Sequence, residues 1–207
     1  MIERDSMAFD VLIIGAGPAG LSTAIRLAQL DSSLRICVLD KAADIGGQIL
    51  SGAVLEPRAL QELLPNWQAE QAPLNTLATQ DNFLFLTENK SYQLPTPPQM
   101  KNHGNYIISL GKFCQWLANI AENLGVNIFP GFAATEMIYH HHIVRGVITG
   151  DKGLNKAGKP GANFQPGMAL YAKQTILAEG CRGSLTQTVI AQYALNKDSN
   201  PQLMVWG

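Results

Sequence analysis

The sequence is short of charge. Asp, Glu, Lys and Arg make up 15% of its 207 residues, against about a quarter in ordinary soluble domains. The formal net charge is -1 with no run of like sign, so there is no basic face for nucleic acid and no acidic tail. Such a composition suits a chain with much buried surface, or one that leans on a membrane or a partner. Cys37, Cys114 and Cys181 are odd in number and show no C-x-x-C spacing. They predict neither a disulfide framework nor a zinc or iron-sulfur site, and read as reduced thiols of a cytosolic protein. No apolar run approaches the roughly 18 residues that a membrane-spanning helix needs. The opening M-I-E-R-D-S-M-A-F-D is acidic and has no apolar core, which excludes a signal or transit peptide there. Internal repeats, a G-x-S-x-G elbow and any Ser/His/Asp or Cys/His arrangement are also missing.

What is present begins with the apolar, β-branched run Phe9 to Ile14, bounded by glycine, which predicts a buried parallel strand. Pro18 opens a helix carried to about Leu30 by Leu21, Ala24, Ile25 and Ala28, and Leu34 to Leu39 is a second strand ending at Asp40. Together they make one βαβ unit. Further on, a short amphipathic helix is expected over 56–67, with Leu60, Leu63, Leu64 and Trp67 on one face. A strand at Phe83 to Leu86 lies inside a Pro-, Thr- and Asn-rich excursion over 72–100. The strongest helical period runs from Phe113 to Leu124 and stops at Gly125. Strands follow at Val126 to Phe129, Glu136 to Tyr139, Ile143 to Thr149 and Leu170 to Ala178. A long polar loop is expected over 151–167, and a last helix from Ser184 to about Ala194. The fold class is α/β and Rossmann-like: a βαβ unit over 9–55, an inserted β-containing lobe over 56–110, and a return to the dinucleotide fold over 111–200.

The chemistry sits in V-L-I-I-G-A-G-P-A-G. Gly15 permits the tight turn out of the strand, Gly17 admits a pyrophosphate to the backbone, and Gly20 allows the helix to pack on the strand. Ala16, Pro18 and Ala19 complete the loop. Asp40, at the end of the second strand, is placed to accept from a ribose hydroxyl, which argues against a 2′-phosphate and hence against NADP. Lys41 follows it, and then Gly46, Gly47 and Gln48. In flavoproteins with two dinucleotide-binding motifs, an alanine four residues after the last glycine (here Ala24), the acid and a later Gly-Gly mark FAD rather than NAD. The segment Leu177-Ala-Glu-Gly-Cys-Arg-Gly183-Ser-Leu-Thr looks like the stretch that brings such chains back to the cofactor. Its other reading is an ordinary helix start with Ser184 as the N-cap.

Three lesser features carry two readings each. His140, His141 and His142 stand at a hairpin tip without an acidic or thiol partner at ligand spacing, which favours a solvated turn over a metal site. His103 precedes an apolar strand and either approaches the flavin or is a plain loop residue. The Leu60/Leu63/Leu64/Trp67 face is either a packing face or a membrane-surface face, and its acidic polar side speaks against the latter.

With these residues in view, the sequence resembles the electron-transfer flavoprotein:ubiquinone oxidoreductases. The stretches that carry the resemblance are I-I-G-A-G-P-A-G-L-S-T-A-I-R-L, I-L-S-G-A-V-L-E-P-R-A-L-Q-E-L-L-P-N-W, A-P-L-N-T, N-H-G-N-Y-I-I-S-L-G, G-V-N-I-F-P-G-F-A-A-T-E and L-A-E-G-C-R-G-S-L-T. FAD-dependent reductases of the geranylgeranyl-reductase type share the fold and are the nearest alternative. The resemblance implies an FAD enzyme that takes electrons from reduced electron-transfer flavoprotein and passes them to ubiquinone, docked peripherally on the cytoplasmic face of a bacterial inner membrane. It places Gly15 to Gly20 at the pyrophosphate, Asp40 at the ribose where the family more often has Glu, and Gly46, Gly47 and Gln48 in a second contact. Ala134 and Gly180 would approach adenine and pyrophosphate through backbone. The segment from Leu50 to Glu70 matches a membrane-surface segment of the family. A [4Fe-4S] cluster and a quinone region belong to a portion of the family not seen here. The chain reads as an N-terminal fragment, and an inactive nucleotide-binding remnant is the remaining alternative.

Overall fold

The computed structural model describes residues 3–50, 52–155 and 158–197; Ser51 of the L-S-G-A-V stretch and the closing N-P-Q-L-M-V-W-G lie outside them. In chain order the elements are β1 (Ser6–Ile14), α1 (Pro18–Leu30), β2 (Ile36–Asp40), β3 (Ala53–Leu55), α2 (Arg58–Leu63), β4 (Thr76–Leu77), β5 (Phe83–Leu86) and β6 (Ser91–Leu94). They continue with β7 (Tyr106–Ile108), α3 (Leu110–Asn123), β8 (Asn127–Pro130), β9 (Ala134–His140), β10 (Ile143–Thr149), β11 (Lys152–Leu154), β12 (Pro160–Gln165), β13 (Ala169–Leu177) and α4 (Ser184–Tyr193). The chain divides into two compact units, 1–48 with 117–207, and 49–116.

The first unit is built on a six-stranded sheet in the order β8-β2-β1-β13-β10-β9. β8, β2, β1 and β13 run parallel, while β10 lies antiparallel to both of its neighbours, β13 and β9. A central parallel strand must bury both faces, which is why β1 ends in the unbroken apolar run Val11–Ile14: Leu12 and Ile13 are fully buried. α1 starts at Pro18, whose missing N–H costs nothing at a first helical position, and buries Leu21, Ala24, Ile25 and Ala28. Phe9, Leu12, Ile14, Cys37, Leu39, Val147, Leu170, Ala172 and Leu185 form the core cluster. Each large side chain buried there contributes roughly 1.5–3 kcal/mol.

The polar segment expected as a loop over 151–167 instead holds the β11–β12 hairpin. The three histidines do form a turn: His140 ends β9, and His141 and His142 take φ of 47° and 63° before β10. That left-handed pair is the geometry of a two-residue hairpin turn.

The second unit pairs β3-β7-β4 as an antiparallel sheet. β3 therefore belongs with β7 rather than with the βαβ unit into which the sequence reading placed residues up to 55. The amphipathic segment after it is α2 plus a turn, and Leu60, Leu64 and Trp67 are 5–6% exposed. Trp67 meets Tyr106 edge-on with ring centroids 5.8 Å apart, and its indole N–H donates to Gln61 Oε1 at 2.8 Å. The membrane-surface reading of this face is thereby corrected, because the apolar side is consumed inside its own unit. Leu50 and Val54 of the segment Leu50 to Glu70 stay exposed, and further exposed apolar surface lies elsewhere in this unit. β5 and β6 form a two-stranded hairpin in which Phe83, Leu84, Phe85, Leu86, Tyr92 and Leu94 are all exposed.

Candidate dinucleotide-binding site

β1 has β2 on one side and β13 on the other, with all three parallel. Loops leaving the carboxyl ends of β1 and β13 part at this point, which is where open α/β sheets bind ligands. The chain makes that parting tight. Gly15 N–H donates to Leu39 O and Ala178 N–H to Ile14 O, both at 2.8 Å.

The three glycines answer to different neighbours. Gly15 has φ +109°, and a Cβ there would sit 2.3 Å from Ala178 O. A Cβ on Gly20 would sit 1.9 Å from Gly15 O. Both are required by the protein's own backbone. Gly17 is not: its φ of -78° and ψ of -179° suit any residue, and a Cβ would meet nothing within 4 Å. Nothing in the described fold demands glycine at Gly17, so the space beside it fits a ligand that comes close to the main chain.

Gly17 is also the N-cap of α1 and supplies no side-chain cap, and the first turn holds no acidic residue. Among the described residues the amides of Gly17, Ala19 and Gly20 have no protein acceptor. Unsatisfied amides and the positive end of the helix dipole together favour an anion.

Asp40 lies at the end of β2 with both carboxylate oxygens engaged. Ala16 N–H donates to Oδ2 and Ala42 N–H to Oδ1, each at 2.8 Å. Lys41 between them is exposed. The same segment is tied to the turn after β8, where Gly131 N–H donates to Ala42 O at 2.7 Å and Phe132 N–H to Asp40 O at 2.9 Å. The sequence pointed to Asp40 but not to Ala42, Gly131 or Phe132, whose contributions are made through backbone and leave no side-chain signature.

Gly15 to Gly20, Asp40 and the segment after β13 thus meet at adjoining strand ends. Gly46, Gly47 and Gln48 follow in a turn in which Gly46 takes φ +79° and Gly47 N–H returns to Asp44 O at 3.0 Å. Ala134 opens β9 opposite Thr149 and packs beside the core cluster. Gly180 is exposed at φ +81°.

The start of α4 differs from its sequence reading. Its N-cap is Gly183, not Ser184, and the capping group is Glu179, whose carboxylate accepts from Thr186 N and Thr186 Oγ1 at 2.7 Å and from Leu185 N at 3.4 Å. An acid seven residues before its partner has no standard capping spacing, so only the fold reveals it.

Other features stand apart from these strand ends. A cavity of about 550 Å³, lined by Phe9, Arg35, Tyr139, Arg145 and Lys173 among others, lies toward the amino-terminal halves of β1 and β13. His103 is exposed in the second unit. Cys37 is buried, and burial pushes its thiol up to about 12. No cluster of three or more His, Cys, Asp or Glu that could hold a metal ion occurs among the described residues. Nor is any described helix long and apolar enough to cross a membrane.

Comparison with known proteins bears on the fold and the sequence. Residues 13–75 match the family model of the NAD(P)-binding Rossmann-like domain. The mitochondrial electron transfer flavoprotein-ubiquinone oxidoreductase of Dictyostelium discoideum is 53% identical over 204 residues, covering 96% of this chain and 34% of that protein. Among solved structures, a geranylgeranyl bacteriochlorophyll reductase-like protein from Thermoplasma acidophilum superposes with a TM-score of 0.61 at 21% identity, over 84% of this chain and 39% of that one. The myxobacterial chondrochloren halogenase CndH, titled a variant of FAD-dependent halogenases, also gives 0.61, at 18% identity, over 86% of this chain and 38% of its own. These likenesses show the same Rossmann-like α/β fold. The chain spans about a third of the length of the curated relatives it matches. By sequence it is similar, over nearly its whole length, to a Rossmann-containing portion of the electron transfer flavoprotein-ubiquinone oxidoreductases.

Proposed function

We propose that this chain binds FAD at the carboxyl ends of β1, β2 and β13, and is the flavin-binding portion of an oxidoreductase that passes electrons from reduced electron-transfer flavoprotein to ubiquinone. The observation that carries the proposal is the 53% identity over 96% of the chain with a relative of that name. The fold likeness to a geranylgeranyl-reductase-like protein, at 21% identity, favours that alternative less.

The residues suit the cofactor. Gly15, Ala16, Gly17, Pro18, Ala19 and Gly20 would hold the pyrophosphate against the open amides of α1, and Asp40 would take the ribose beside Lys41. Gly46, Gly47 and Gln48 would form a second contact, with Ala134 near adenine and Gly180 near the phosphates through backbone. Bound FAD would supply the redox chemistry, while the protein supplies position and shielding. No side chain is assigned as acid or base. The [4Fe-4S] cluster implied by the resemblance takes Cys thiolates, which the three separated cysteines of this sequence do not provide.

Peripheral contact with a bacterial inner membrane at its cytoplasmic face is part of the same reading. Its support rests on the β5–β6 hairpin, whose exposed Phe, Leu and Tyr side chains suit the interface of a bilayer, and not on the buried Leu60, Leu64 and Trp67.

Mixing the chain with FAD, removing free flavin by gel filtration and recording visible absorbance tests the cofactor. Protein that elutes colourless overturns it. Adding reduced electron-transfer flavoprotein to the loaded chain, and only afterwards a soluble ubiquinone analogue, tests the electron route; flavin that stays oxidised before the analogue is added would remove that donor, and reduced flavin that the analogue does not reoxidise would remove that acceptor.

A further inference from the structure

We propose that Asp40 is a positioning residue which, on the dinucleotide reading above, presets the phosphate-binding loop before any nucleotide arrives. Ala16 is 1% exposed and Ala42 is 4% exposed. Their amides are therefore shut off from water, and each has the Asp40 carboxylate as its acceptor at 2.8 Å. Buried amides are almost always paired, so a change at Asp40 must be answered by movement of both segments.

The tie is well placed to act on the loop. Gly15 is already held by Leu39 O at 2.8 Å. The bond from Ala16 extends that hold by one residue and fixes the chain immediately before Gly17. The Asp40 carbonyl and the Ala42 carbonyl accept from Phe132 and Gly131, so the carboxylate's own position is set by three packed segments. An ionised carboxylate has about four acceptor sites. Two are used here, and the other two remain for sugar hydroxyls. One group can therefore hold the loop and receive the ribose together.

An amide side chain cannot do the same. Asp40→Asn keeps the size but offers one acceptor oxygen and one donor nitrogen, so one of the two backbone amides faces another donor. A residue that only contacted ribose would show nothing of this in the ligand-free chain.

The test is amide hydrogen exchange by NMR on the ligand-free protein. In Asp40→Asn, exchange at Ala16, Ala42 or both is expected to quicken about tenfold or more, the factor that corresponds to losing one charge-assisted hydrogen bond. Unchanged exchange at both amides in Asp40→Asn overturns the proposal. If Asp40→Asn loses FAD binding with unaltered exchange, Asp40 is only a ribose acceptor and the proposal falls while the cofactor reading survives. If exchange quickens but the unaltered chain never takes up FAD, the positioning role stands and the cofactor reading falls.

Discussion

Glu179 and Thr186 are joined twice: the carboxylate accepts from both the backbone amide and the hydroxyl of Thr186 at 2.7 Å. The positive end of α4 is thus occupied by the protein's own anion. That of α1 is not, and this difference supports the proposal that α1 takes the phosphates. Gly183 makes room for the arrangement, since a Cβ there would lie 2.5 Å from Glu179 Cβ. Glu179→Ala is expected to lower stability by about 1 kcal/mol, as for a lost helix cap. Urea unfolding of both proteins measures it, and equal midpoints would dismiss the cap.

The glycines separate folding from binding. Gly17→Val is expected to change stability by no more than about 0.5 kcal/mol, as for an unobstructed surface position, and to abolish FAD uptake. Gly20→Val drives a side chain into Gly15 O and is expected to cost about 3 kcal/mol or more. Thermal unfolding beside flavin titration distinguishes them. A Gly17→Val protein that still binds FAD would remove the pyrophosphate from this loop.

Acid should loosen the tie between the start of the chain and the strand region after β10. Asp151 accepts from Arg4 and from Gly167 N–H, and these bonds hold its carboxyl below the ordinary 3.8. The folded state then binds this proton less readily than the unfolded state. The resulting stabilisation is complete above the unfolded value and disappears as pH falls through the lower folded value. The stability difference between the unaltered chain and Asp151→Asn should therefore shrink below about pH 4. Urea midpoints at pH 6 to 3 measure it; a constant difference would remove this linkage.

Thiol reactivity should follow burial. Cys181 is exposed, whereas Cys37 and Cys114 are buried and the Cys37 thiol is pushed up to about 12. Thiolate is the reactive form. Iodoacetamide at pH 8 is expected to modify Cys181 alone in the folded protein and all three in denaturant, read by mass spectrometry. Prompt modification of Cys37 in the folded state would contradict its place in the sheet.

The β5–β6 hairpin gives the membrane proposal a local test. Phe85 and Leu86 are 58% and 69% exposed. Phe85→Ser with Leu86→Ser is expected to cut co-flotation with phosphatidylcholine vesicles at least tenfold, at about 1.5–3 kcal/mol per apolar side chain removed from the bilayer, with the fold unchanged by circular dichroism. Equal flotation of both proteins would move membrane contact elsewhere.

What the sequence revealed depended on how local each signal was. α1 could be read from Pro18 to Leu30 because its start and its period lie within the same stretch. Gly15, Gly20 and Asp40 were legible for the same reason. The β3–β7 pairing was not, since nothing near Ala53 to Leu55 announces a partner at Tyr106 to Ile108. The β11–β12 hairpin escaped because its strands are almost wholly exposed, and so carry no apolar alternation. Periodicity at Leu60, Leu64 and Trp67 shows that a face is hidden, but a protein core and a bilayer leave the same pattern. Glu179 needed the fold.

The pairing of β1 with β13 sets an order in time. Its register joins Ser6 to Ala169 and Ile14 to Leu177. A chain leaving the ribosome can assemble β1, α1 and β2 early, but the central strand waits for one whole flank until the last described strand has emerged. Contacts of such long sequence separation form slowly. During synthesis, one edge of this central, largely buried strand stays open to other chains, so chaperone demand in this molecule is greatest before residue 177 is made.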